Sequence, residues 1–174
     1  SDFPDIENDP RIAIFPLGGS TLKDWVSSIY LGGRLGIPEI HIYDRDKGPQ
    51  PKYLEQYNAV NKRKDRSKAF ITGKREMENY IHPHAIEEEF GFKVTFSDDD
   101  NIPELVAKIQ HESHPSIPWD QLDDKKKSQK ESKAKKRLND GAAARMTYER
   151  LQESDPGKDI ESWFAAMVAI LNLQ

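Results

Sequence analysis

Cysteine is absent from the 174 residues, which excludes a disulfide framework, a thiolate zinc site, a redox dithiol and a cysteine nucleophile. Long apolar runs are missing too: none approaches the ~20 residues that span a bilayer. The opening SDFPDIENDP is acidic, without the basic-then-apolar pattern of a targeting segment. A soluble, cytoplasmic protein is the expectation. Net positive charge is also lacking, since 26 Lys and Arg stand against 30 Asp and Glu, a formal charge of −4. Any contact with a polyanion must therefore come from a local basic patch. What remains, 36% hydrophobic and 32% charged residues, is enough for one ordinary domain with a real core.

Hydrophobic patterning organises the chain. Residues 11–17, RIAIFPL, read as a buried strand, followed by a glycine turn at Gly18-Gly19 and a Ser20 or Thr21 helix cap. Leu22, Trp25, Val26 and Ile29 repeat at helical spacing over 21–31, and Gly32, Gly33 and Gly36 stop that helix. Residues 37–46, IPEIHIYDRD, predict a second strand with two aspartates at its carboxyl end. A helix opening at Pro51 carries Tyr53, Leu54, Tyr57 and Val60, and 68–72, KAFIT, form a third strand. Strand, helix, strand, helix, strand over these lengths predicts a parallel sheet with right-handed crossovers, hence the α/β class.

Further along, the patterning predicts a helix over 83–90, a strand over 93–96 and a helix over 103–110. A proline-rich loop fills 111–124. Residues 125–137 hold eight basic residues and one glutamate, and helices follow over 142–152 and 160–171. The expected organisation is an acidic lead-in (1–10), a partial α/β core (11–110), the loop (111–124), and a helical carboxyl-terminal part of the same domain (125–174).

Two motifs carry chemistry. Asp44-Arg45-Asp46 sits where a parallel strand ends, the usual place for a site in open α/β sheets, and residues two apart on a strand point the same way. Two carboxylates there suit Mg²⁺ or Mn²⁺, hard cations that take oxygen ligands; the plain alternative is a surface turn. In TGKREMENY, Glu76 and Glu78 follow another strand end, with Lys74 and Arg75 beside them to neutralise phosphate. Their alternative is an exposed helix start, where acids suit the dipole. His82 and His84 flank Pro83 without a thiolate or a zinc-helix pattern and read as surface or capping residues. Gly18–Thr21 lacks the lysine of a phosphate-binding loop. The lysine run is a candidate phosphate-backbone contact through Lys133, Lys135, Lys136 and Arg137, its alternative being a solvated helix face.

In order, IFPLGGSTLKDW, IHIYDRD, KREMENYIHP, AKKRLNDGAAARMT and DIESWF resemble the carboxyl-terminal Toprim (topoisomerase–primase) nuclease domain of the OLD (overcoming lysogenization defect) family, over about residues 10 to 170. The most specific pieces are YDRD and KREMENY together. The resemblance implies a Toprim-like Rossmannoid parallel sheet flanked by helices, with a helical carboxyl-terminal extension. It implies a metal-dependent DNA endonuclease, hydrolysing phosphodiester bonds in anti-phage defence, with an ATPase domain as partner on the same or a neighbouring chain and a homo-oligomeric assembly. Asp44 and Asp46 become metal ligands, Glu76 or Glu78 an added acidic ligand, and two Mg²⁺ or Mn²⁺ ions the cofactor of the intact enzyme. A family lysine falls within 133–136, with Lys135 as its candidate. The family's opening strand and its glutamate, in an EG-x-x-D setting, have no counterpart before Arg11. The chain is thus expected to be part of a longer enzyme or a degenerate relative, and the alternative function is a catalytically incomplete module that binds DNA or a partner protein.

Overall fold

The computed structural model describes residues 5–17, 19–28, 31, 35–48, 50–113 and 117–172. Gly18, Ile29, Gly32 and Gly33, part of the expected glycine turns and first helix, lie outside them. The chain divides into two compact units, one formed by 1–73 with 158–174 and the other by 74–157. The division falls inside the span that reads from sequence as a single core.

The first unit is α/β. Strands β1 (Ile40–Tyr43) and β2 (Lys68–Ile71) pair in parallel, with Ile40 opposite Lys68 and Tyr43 opposite Ile71. Around them are helices α1 (Gly19–Ser28), α2 (Leu54–Asn61) and, from the far end of the chain, α7 (Asp159–Leu171). A parallel pair cannot be closed by a hairpin, so α2 makes the crossover, burying Val60 with Leu22, Val26, Tyr43 and Ala69. Asn61, at the end of α2, extends the ladder with its side chain. Its amide donates to Ala69 O at 3.1 Å and accepts from Ala69 N at 3.0 Å, which caps part of the β2 edge.

Beside this apolar cluster, the face of β1 that carries Tyr43 also holds a buried polar network. Trp25 Nε1 donates to Glu39 Oε2 at 2.9 Å, Arg63 donates to Glu39 Oε1 at 2.9 Å, and His41 Nε2 sits 2.8 Å from Glu39 Oε2. Tyr43 Oη bonds His41 Nδ1 at 2.9 Å. Burial lowers the His41 pKa against the pull of Glu39, so the ring is neutral, and burial pushes Tyr43 up to about 12.

The second unit is helical. Helix α3 (Pro83–Phe90) starts with proline in its first turn and His82 Nδ1 accepting from His84 N, and stops at Gly91, whose φ of 80° is the left-handed conformation glycine favours. Helix α4 (Ile102–Glu112) is capped by Asn101, and α5 (Asp124–Arg137) by Asp123, with Lys135, Lys136 and Arg137 in its last turn where cations suit the dipole. Ile102, Val106 and Ile109, at helical spacing, turn α4 toward α5, where Ala134, with Leu138 just beyond the helix, meets them. A π-turn (Leu138–Ala142) and a 3-10 turn (Ala143–Arg145) then lead to α6 (Tyr148–Ser154), capped by Thr147.

Four expectations need correction. Residues 11–17 form no strand: Ile14 and Phe15 are 62% and 55% exposed, and Phe15 packs on Trp25 instead. Pro16 has no N–H for a ladder, and alternation alone does not supply a partner strand. Residues 93–96 form no strand and pair in no ladder. The helix expected over 142–152 is broken at Met146, which has extended backbone, because Thr147 starts a new cap. The strand expected over 37–46 contracts to Ile40–Tyr43, leaving the aspartates beyond it.

Candidate functional site

Thr72 shapes the turn that carries the aspartates. Its N–H donates to Tyr43 O and its Oγ1 accepts from Arg45 N, both at 2.9 Å, so Asp44–Asp46 leaves the sheet as an anchored turn. Asp46 has a φ of 57°, a left-handed conformation that aspartate tolerates better than most residues. Strand alternation therefore does not aim Asp44 and Asp46. Asp46, 39% exposed, has Lys52 Nζ at 3.7 Å.

In the second unit, the segment after Gly73 is held by a buried asparagine. Asn79 Oδ1 accepts from Glu76 N at 3.2 Å, and its amide donates to Ser97 O and Asp100 O at 3.1 Å each. A 3-10 turn (Met77–Tyr80) results, with Glu76 as its cap position and Glu78 inside it. Glu78 is 1% exposed. From α5, Lys135 Nζ lies 3.3 Å from both Glu76 Oε2 and Glu78 Oε1. Asn139, in the π-turn one helical step on, donates from Nδ2 to Glu78 Oε1 at 2.9 Å.

The cluster carries two carboxylates and one ammonium, a formal excess of one negative charge. Burial raises the Glu76 pKa, and the neighbouring Glu78 adds to this against the opposing pull of Lys135. For Lys135, burial acts to lower the pKa, but the two carboxylates together outweigh it and hold the ammonium charged. Two carboxylate oxygens, Glu76 Oε1 and Glu78 Oε2, are buried with no hydrogen-bond partner. Buried polar atoms ordinarily find partners, so orphaned anionic oxygens mark a place where a cation or a donor group fits.

The other basic candidates separate into two kinds. Lys74 Nζ is bound to Asp98 Oδ1 at 2.8 Å and donates to Asn79 O, while Arg75 donates to Asp99 O at 3.2 Å. Arg137 is held by Glu89 and lies over the Phe90 ring. These three therefore brace the fold. Lys133 and Lys136 are exposed on the side of α5 away from Ala134 and Leu138 and make no ion pair among the described residues. Sequence reasoning grouped Lys135 with them, whereas the helix turns it toward the glutamates. It also missed Asn79 and Asn139, whose only sequence signal is a short amide side chain near each motif.

His82 and His84 are not brought into this cluster: His82 Nε2 pairs with Glu153 at 3.0 Å. Asp44 and Asp46 belong to the first unit and Glu76, Glu78 and Lys135 to the second. Among the described residues no three histidine, aspartate or glutamate side chains sit together as a metal-binding group, and no helix is long and apolar enough to cross a membrane. Comparison with family models, with curated proteins and with solved structures gives no match.

Proposed function

We propose that the chain is the Toprim-like catalytic part of a metal-dependent DNA nuclease. The carrying observation is the pair of buried, unpartnered oxygens on Glu76 and Glu78 beside Lys135. This donor set fits Mg²⁺ or Mn²⁺, which bind through one or two carboxylates and complete their shell with water and substrate phosphate. Glu76 and Glu78 would hold the ion. Asp44 and Asp46 are assigned as ligands by the resemblance alone.

Bound there, a divalent cation supplies charge to polarise a phosphoryl oxygen and to acidify water. The chain's own groups do the rest. Lys135, held charged by the two carboxylates, places an ammonium where phosphate charge grows in the transition state. Lys133 and Lys136 attract the phosphate backbone. Asn79 fixes the turn that carries both glutamates. The ATPase partner and the defence role follow from the resemblance and belong to the same proposal.

A second reading, a nucleic-acid-binding module without catalysis, is favoured by one observation: Lys135 already sits at both carboxylates, as a structural ion pair would. Plasmid nicking separates the two. The proposal expects nicking that depends on Mn²⁺ or Mg²⁺ and is lost in Asp44→Asn and in Glu78→Gln. Salt-sensitive retention of DNA with no nicking at any metal concentration would favour the binding module.

A further inference from the structure

We infer that Asn139 is a positioning residue for a divalent cation at Glu78, an inference that rests on the metal site proposed above. Glu78 enters the second unit almost completely buried, and its two oxygens are treated differently. Oε1 receives the Asn139 amide at 2.9 Å and has Lys135 Nζ at 3.3 Å, whereas Oε2 has no partner. A carboxylate whose one oxygen is satisfied by two donors is fixed in rotation, with the other oxygen left open as the available lone pairs. Loss of a group that orients a ligating side chain in this way typically costs about ten- to a hundredfold in metal affinity or activity.

The backbone explains why this position does it. Lys135 and Asn139 are four residues apart, so on an α-helix they share a face. At Leu138 the helix widens into a π-turn (Leu138–Ala142), anchored by Leu138 and Ala142, which are fully buried. Single π-turns inside helices are frequent at functional sites. Asn139 stands at the start of that π-turn, exposed and under no packing demand to face Glu78. Its amide is neutral, so it orients the carboxylate without cancelling charge, whereas Lys135 neutralises it. The two neighbours of Oε1 thus have separate tasks.

The test uses the whole chain and counts free Mn²⁺ by electron paramagnetic resonance, with apo thermal melts as the folding control. Wild type and Glu78→Gln establish the site: binding in the first, lost in the second. Absence of binding in the wild type, or binding untouched by Glu78→Gln, overturns the metal reading and this inference with it. Given a Glu78-dependent site, Asn139→Ala is expected to weaken Mn²⁺ by about tenfold or more with its apo melt unchanged. Asn139→Gln, which keeps the amide donor, should recover part of that affinity. Equal affinity in wild type and Asn139→Ala overturns the positioning role while leaving the metal site standing. So does a loss shared by Asn139→Gln and accompanied by a lowered apo melt, which marks a purely structural bond.

Discussion

Lys135 Nζ stands 3.3 Å from Glu78 Oε1, joining a helix of the basic run to the most deeply buried carboxylate of the second unit. A charged pair with one buried partner is costly to break, because removing the ammonium strands a carboxylate out of water. Lys135→Met should therefore lower stability, while Lys135→Met combined with Glu78→Gln should recover most of the loss. Denaturant midpoints of the three variants check it; a double variant as unstable as the single would mean the pair is not the source.

Glu76 gives a pH signature. Burial and Glu78 raise its pKa above the ordinary 4.5, so between those two values the folded chain keeps a proton that the unfolded chain releases. Stability from this group falls as pH rises through that window and returns as pH falls. Glu76→Gln should flatten this dependence and raise the metal-free melting point near neutral pH, by roughly 2–4 °C per 1 kcal/mol relieved. Mn²⁺ affinity in the wild type should decline on acidification through the same window, since the ion must displace the proton. Melts and titrations between pH 4 and 7 read both.

Lys133 and Lys136 are exposed cations near the end of α5 and make no ion pair among the described residues. Replacing both by glutamine should weaken DNA binding at every sequence and flatten the log–log salt dependence by ~0.9 for each duplex phosphate left without its lysine. Folding should be untouched. A wild-type salt slope in the double variant would make this face only a solvated one.

In the first unit, Glu39 is the hub of a buried network that includes the Arg63 guanidinium at 2.9 Å. Glu39→Ala leaves that guanidinium buried without its counter-charge and should destabilise the unit by about 3–5 kcal/mol. Glu39→Gln, which keeps the shape and some donors and acceptors, should cost less. Hydrogen exchange on β1 and β2 amides resolves the loss in that unit.

Local signals made much of this fold legible. The helix over 83–90 is read to the residue because proline at its start and glycine at its end are chemical punctuation. The parallel β1–β2 pair and the crossover helix follow from apolar patterning of Ile40, Ile42, Phe70 and Ile71. Non-local facts were hidden. Ile14 and Phe15 look like core by composition, but their burial depends on a partner strand that pattern cannot supply. At the site, the glutamates stand out by type and spacing. That Lys135 rather than Lys133 or Lys136 reaches them depends on helix phase against α4, and Asn139's bond to Glu78 joins residues 61 apart in the chain, which no local preference announces.

Calorimetric titration of the metal-free chain with Mn²⁺, in parallel with Glu78→Gln, bears most directly on the proposed site. Saturable binding in the wild type at up to millimolar ion, lost in Glu78→Gln while the variant stays folded, is the predicted result. Heats identical in the two proteins, or no binding heat from a folded wild type, would contradict it.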